Sequence, residues 1–394
     1  MIASAAASAL AISSVATTDV RAIVEEALRD AETRSSLGAG HDGDFFIDSD
    51  GGDFRLRIGG FTQFQYTATL RSDAEPDELT EGFSIRRTRV TFRGTAIDES
   101  ISFKVTNSFS RRTGDSRLSD GYVEKDFGGG WSVRLGQFKL PFWREELHSA
   151  KRLLAVDRSL SRDVFSLRRS PAVMVSYEGD RARYQLAVSN GGDSARSSFT
   201  DSTDVALTAR GRWLLGEGGT FENDRTGGAP RGAPFTWVVS GAAHYELNDT
   251  RTPTDPGERI VQWTADTQLN GDGWTLMAAY AGRADSSGLD GRTAHDHAVL
   301  AQGAVRFRNN VEPFARIETI FPDADRAGDE TLTSLTFGAN WYIRGDALKL
   351  SADAVWTFDD SRSNDLVGDA GRAAFLDSSS DDQISLRVQL QFIF

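Results

Sequence analysis

Residues 383–394 alternate almost without fault. Ile384, Leu386, Val388, Leu390, Phe392 and Phe394 share one parity, while Ser385, Arg387, Gln389 and Gln391 share the other, with Ile393 alone out of step. Side chains alternate faces along a strand, so this ribbon has one apolar face and one mostly wet face. It ends on an aromatic residue. In a soluble sheet such an edge would invite aggregation. In a closed membrane barrel there is no edge, and the apolar face meets lipid. The ribbon is expected to close a transmembrane β-barrel.

The same pattern recurs from Asp53 onward. Phe54, Leu56, Ile58, Phe64, Tyr66, Ala68 and Leu70 oppose Arg55, Arg57, Gln63, Gln65, Thr67 and Thr69. Val90 and Phe92 oppose Arg87, Arg89 and Arg93, and Ile101, Phe103 and Val105 oppose Lys104 and Thr106. Val205, Leu207, Ala209 and Trp213 oppose Thr208, Arg210 and Arg212. Further copies fall at 235–247, 260–269, 274–283, 297–308, 331–344 and 348–358. Residues 131–139 and 182–190 also read as strands, and 117–127, 171–179 and 311–320 do so with blurred parity. The total is about sixteen antiparallel strands, an all-β barrel in the size range of porins. Tight turns such as Gly345-Asp346 alternate with long polar loops at 71–82, 191–203, 216–234 and 359–382, the asymmetry of an outer-membrane barrel. Phe54, Trp131, Trp213, Trp237, Trp263, Trp274, Trp341, Trp356 and Phe394 tend to lie near strand ends, where interfacial girdles belong.

Composition narrows the alternatives. No run of eighteen apolar residues exists, so helical spanning is excluded, whereas barrel strands escape that test. The chain lacks cysteine, so neither a disulfide framework nor a thiolate site is available. Its formal charge of −13 disfavours nucleic acid as a partner. Residues 1–18 are rich in Ala and Ser and are expected to be an export-signal remnant or a flexible tail, although no Lys or Arg precedes Arg21. Residues 19–52 are expected to form a short periplasmic helix over 19–37, capped by Asp19, followed by a Gly/Asp linker. The barrel then spans 53–394.

Parity defines an interior. The cations expected to face inward are Arg55, Arg57, Arg87, Arg89, Arg93, Lys104, Arg134, Arg183, Arg210, Arg212, Arg306, Arg308 and Arg387. Clear inward acids are Glu246, Asp266 and Asp353. Guanidinium groups stay charged and bind oxyanions in two-pronged fashion, so such a lumen would attract anions although the chain is acidic. Between the strand ending near Lys139 and that beginning near Pro171 lies a segment both apolar and basic. It carries Lys139, Arg144, Lys151, Arg152, Arg158, Arg162, Arg168 and Arg169 beside Leu, Val, Phe and Trp. Folding into the lumen would bury its apolar side and narrow the bore.

Four stretches carry a family resemblance: Leu56 to Gln65, the Arg-rich Ile85 to Gly94, Gly136-Gln-Phe-Lys-Leu-Pro-Phe142, and the terminal Phe394. Together, over roughly 53–394, they resemble the phosphate-selective porin O and P family. The resemblance implies a trimeric sixteen-stranded outer-membrane channel in a diderm bacterium. It also implies an inward-folded loop making a basic constriction, and arginines leading small anions to it. A general diffusion porin without anion preference is the main alternative, followed by a soluble all-β ligand-binding protein and by a barrel enzyme. His295 and His297 share one strand face, but no third metal ligand is evident, and no phosphate-cradling or nucleophile motif appears. The expected function is passive transport without catalysis, cofactor or metal, with membrane lipid and small anions as partners.

Overall fold

The computed structural model describes residues 37–41, 44–49, 53–71, 78–110, 113–193, 195, 205–248, 258–286, 292–359, 364, 366–367 and 383–394. The segment expected as export signal, 1–18, lies outside them, as does the helix expected over 19–37 apart from Leu37, which belongs to a strand. Two short strands come first, β1 (Leu37–His41) and β2 (Phe45–Ser49). They pair with each other, and β2 continues onto the start of β3. The stretch expected as a plain linker is therefore a small antiparallel hairpin docked on the barrel rim. Asp48, within that stretch, receives Arg55 at 2.6 Å.

Sixteen strands make the barrel wall. In order they are β3 (Phe54–Arg71), β4 (Glu78–Ala96), β5 (Asp98–Phe109), β6 (Ser116–Gly128), β7 (Trp131–Lys139), β8 (Arg169–Glu178), β9 (Ala182–Ser189) and β10 (Val205–Leu215). There follow β11 (Thr236–Asn248), β12 (Glu258–Gly271), β13 (Trp274–Asp285), β14 (Ala294–Val305), β15 (Val311–Phe321), β16 (Leu332–Asp346), β17 (Leu348–Thr357) and β18 (Ile384–Ile393). Every strand pairs with its sequence neighbours, and β18 pairs antiparallel with β3 from Ile384↔Leu70 to Ile393↔Phe61. The sheet closes on itself and leaves no barrel edge.

The wall is inside out relative to a soluble protein. On β18, Leu386 and Phe392 are about half exposed, whereas Arg387 and Gln391 are nearly inaccessible. Aromatic side chains ring the end of the barrel that carries the short turns. Trp131, Tyr177, Tyr184 and Trp213 make a continuous line of ring contacts there, with centroids 5.1, 6.4 and 6.0 Å apart. Amphipathic rings at that level suit a membrane–water interface.

Closure also needs close backbone approach. The Phe394 ring lies where a side chain at Gly60 would stand, and the two backbones exchange hydrogen bonds of 2.7 and 3.1 Å. At Gly94 a Cβ would fall 1.7 Å from the Arg55 carbonyl oxygen. That atom belongs to backbone and cannot swing aside. Gly94→Val is therefore expected to disrupt the β3–β4 ladder at a cost of roughly 1–3 kcal/mol. The measurement is the temperature at which the compact electrophoretic form unfolds in detergent. An unchanged temperature would contradict the tight approach.

Candidate functional site

The interior is organised by the segment 140–168. It leaves β7 at the long-loop end and runs back inside the barrel as two helical turns, α1 (Arg144–Leu147) and α2 (Leu160–Phe165). Its sequence explains why. Leu140, Phe142, Trp143, Leu160, Phe165 and Leu167 are buried in one cluster with inward residues of the wall, including Met174, Ala281, Ile320 and Val355. Alternating wall positions that happen to be apolar give these side chains a dry seat, at about 25 cal/mol per Å² removed from water.

Polar fasteners hold the segment to many strands. Arg144 donates to Asp266 at 2.5 Å and to Asp224 at 2.7 Å. The backbone N–H groups of Leu160 and Ser161 donate to Glu318 at 3.1 and 2.8 Å. The N–H of Val156 donates to Asp353 at 2.9 Å, and the Leu154 carbonyl accepts from Asn340 at 2.8 Å. Gln63 and Gln391 donate to the carbonyls of Ala150 and Lys151 at 3.2 and 3.0 Å. Glu145 accepts from Ser159 and faces Arg316 at 3.5 Å, and burial pushes its carboxyl above its ordinary pKa. The polar face of β18, expected to be wet, is thus largely covered by protein.

Beside this segment, towards the short-turn end, lies a cavity of about 510 Å³. Its lining includes the cations Arg89, Arg93, Lys104, Arg134, Lys139, Lys151, Arg152, Arg169 and Arg212, and only two acids, Asp44 and Asp120. Seven of the nine cations meet a carboxylate. Lys104 and Arg169 share Asp120 at 3.0 and 2.8 Å, Arg134 meets Glu124 at 2.5 Å, and Lys139 and Arg152 meet Glu146 and Asp346 at 3.9 Å. Arg93 pairs with Asp44 and Arg212 with Asp224. Arg89 and Lys151 have no ion pair with a carboxylate among the described residues. Both stand over the Phe61 ring, at 6.0 and 5.7 Å.

The expected inward cations therefore divide. Arg89, Arg93, Lys104, Arg134 and Arg212 line the cavity. Arg87 is spent on Asp157, Arg210 on Asp266 and the Phe142 carbonyl, and Arg387 on Asp353 at 2.7 Å, all largely buried. Arg183 lies over Phe221 and within 3.3 Å of Glu178. Arg55 and Arg57 flank Phe46 at the rim, Arg306 lies 3.9 Å from the Tyr342 ring centre, and Arg308 is exposed in the turn after β14. Of the segment's cations, Lys139, Lys151, Arg152 and Arg169 line the cavity. Arg144 is buried in its ion pairs, Arg158 donates to the Glu145 and His148 carbonyls, Arg162 reaches Glu146, and Arg168 reaches Asp193.

The expected scarcity of inward acids is corrected. Asp120, Asp296, Glu312 and Glu318 are buried on inward positions of the wall, and Glu145, Glu146, Asp157 and Asp224 are carried inside by inserted segments. Arg86, assigned to no face from the sequence, also reaches Asp157 at 2.5 Å. A bulge opposite Gln63 and Phe64 of β3 makes the pairing register skip Arg86, so both Arg86 and Arg87 turn inward. The pair His295 and His297 lies on the outer face, where His297 meets the Tyr280 hydroxyl at 2.9 Å.

A closed barrel with a polar, partly filled interior and an apolar exterior is the architecture of an outer-membrane β-barrel protein. Residues 58–241 match the model of the phosphate-selective porin O and P family, as the motifs led us to expect. The protein is accordingly assigned to the outer membrane of a Gram-negative bacterium. Among solved structures, the outer membrane channel DcaP of Acinetobacter baumannii is similar at 16% identity and a TM-score of 0.62, covering 88% of this chain and 99% of that one. An anion-selective porin from Comamonas acidovorans is similar at 10% identity and 0.60, covering 86% and 100%. OmpT of Vibrio cholerae, in a trimer form, is similar at 10% identity and 0.53, covering 86% and 99%. At these identities the likeness concerns the fold. No curated protein sequence matches the chain.

Proposed function

We propose that the protein is a passive diffusion channel that prefers small anions, phosphate-like oxyanions among them, and that the segment 140–168 sets its bore. One observation carries the reading: nine cations and two acids line the interior cavity beside 140–168. Permeation requires contacts strong enough to attract a solute and weak enough to release it. Cations already shared with carboxylates meet that need, since a passing anion exchanges one partner for another. A homotrimer is proposed by analogy with the trimer form described for the Vibrio cholerae protein.

The ion pairs favour a second reading, a general diffusion channel with little charge preference, because they neutralise much of the lining. Single-channel reversal potential in a KCl gradient decides between them. Anion preference is expected, together with a fall in chloride current as phosphate is added. A reversal potential near zero would leave the general channel, and chloride current unaffected by excess phosphate would remove phosphate from the solutes.

A further inference from the structure

The segment 216–235 contains the stretch 216–234 that was expected among the long polar loops. It connects β10 to β11, and counting strands puts that connection at the end of the barrel where the other described turns are short, such as 129–130, 179–181 and 272–273. It does not stay outside. Phe221 packs with Leu214 and Val238, and Asp224, Thr226 and Ala229 are buried. The wall holds it through carbonyls: Asn270 donates to that of Asn223 at 2.9 Å and Gln302 to that of Thr226 at 3.1 Å. Its tip is Gly227-Gly228. A Cβ at Gly227 would lie 2.3 Å from the Arg152 carbonyl oxygen, and one at Gly228 would overlap the Glu312 carboxylate. Only glycines let backbone come this close.

The two inserted segments thus meet inside the barrel from opposite ends. Asp224 is the fastener, receiving Arg144 of the first segment at 2.7 Å and also pairing with Arg212 of the wall, with its carboxylate fully shielded from solvent. We infer that 216–235 is a second plug, which fills the lumen beside β11–β15 from the short-turn side and confines solutes to the passage along β3–β10. The cavity lining agrees, since its wall residues come from β3–β10 and none from β11–β18. This asymmetry makes the plug, together with 140–168, a determinant of the size of solute admitted.

The inference rests on the channel reading, but its test is separable, because selectivity and bore are different readouts. Deleting 217–234 leaves Gly216, Phe235 and Thr236 to join Leu215 to Trp237, which are already paired. The deleted channel is expected to conduct at least about twofold more and to admit larger neutral polymers added from the short-turn side, with the sign of its reversal potential unchanged. Unchanged conductance and polymer cut-off would overturn the plug while leaving anion preference untouched.

A second measurement covers a deletion that does not fold. The chain has no cysteine, so Gly228→Cys with Glu312→Cys introduces a single thiol pair. A plug resident at its seat is expected to cross-link under mild oxidation without loss of current. Failure of the folded double variant to cross-link would overturn the placement.

Discussion

Replacing Arg89 and Lys151 together by glutamate is expected to turn an anion-preferring channel into a cation-preferring one. These two side chains are the cavity cations that make no ion pair with a described carboxylate, and both sit at Phe61 where 140–168 meets β3 and β4. The other seven cations share carboxylates, so their fields largely cancel at a solute's distance. Reversing one unit charge about 6 Å from a passing ion changes its energy by roughly 1.4 kcal/mol even in a water-like dielectric. Two reversals therefore amount to roughly a hundredfold change in local anion occupancy. Salt at about 0.1 M screens beyond about 10 Å, so contacts at this range keep most of that effect. The reversal potential in a KCl gradient should change sign. The control is Arg387→Gln, which removes a cation buried against Asp353 and should move selectivity little. Equal effects from the pair and the control would mean that the mean interior charge governs conduction and the cavity does not.

How far the sequence disclosed this arrangement depends on where the period of two survives. On β18 and β3 the alternation is clean, and both strands, with the closing role of the last, were legible from Ile384, Leu386, Phe64 and Leu70. On β6 and β15 the parity is blurred, and there Asp120, Glu312 and Glu318 were missed as inward acids. Bulges account for part of the blur. Those at Gln63/Phe64, Thr106/Asn107 and Asp126/Gly128 each shift the face by one residue, which reverses in from out for everything beyond them. Wall positions packed under 140–168 account for another part, because Met174, Ala281 and Ile320 face inward and are apolar. The apolar and basic character of 140–168 announced that it would pack on something. Residues 216–235 gave no such signal, since glycine-rich polar sequence suits a solvated loop as well as a backbone-held plug. Its hold comes from carbonyl groups and Asp224, and composition does not distinguish these from loop chemistry.

The largest loss of stability is expected at Asp353. Its two carboxylate oxygens receive Arg387 at 2.7 and 2.8 Å, and one of them also receives the Val156 N–H at 2.9 Å. One side chain thus ties β17 to β18 and both to the inserted segment, next to Asp157, which takes Arg86 and Arg87. Asp353→Ala would strip a guanidinium with 1% exposure of its two-pronged carboxylate partner, leaving it only the charges of Asp157 and Glu318, and would leave a backbone donor without its acceptor. Breaking one side of a buried pair costs about 3–5 kcal/mol, more than the roughly 0–1 kcal/mol of an exposed pair such as Arg292–Asp325. Replacing both charges, with Asp353→Leu and Arg387→Met, should restore most of the barrel's stability, because an apolar pair of similar volume leaves neither charge unpaired. It should not restore the tether at Val156. Unfolding in detergent and single-channel noise therefore part company: the double variant should resist denaturation nearly as wild type does while its open-channel current fluctuates more. A single variant as stable as wild type would show that Arg387 finds another partner. A double variant with quiet current would show that Asn340, Glu318 and Gln391 hold the segment without Asp353.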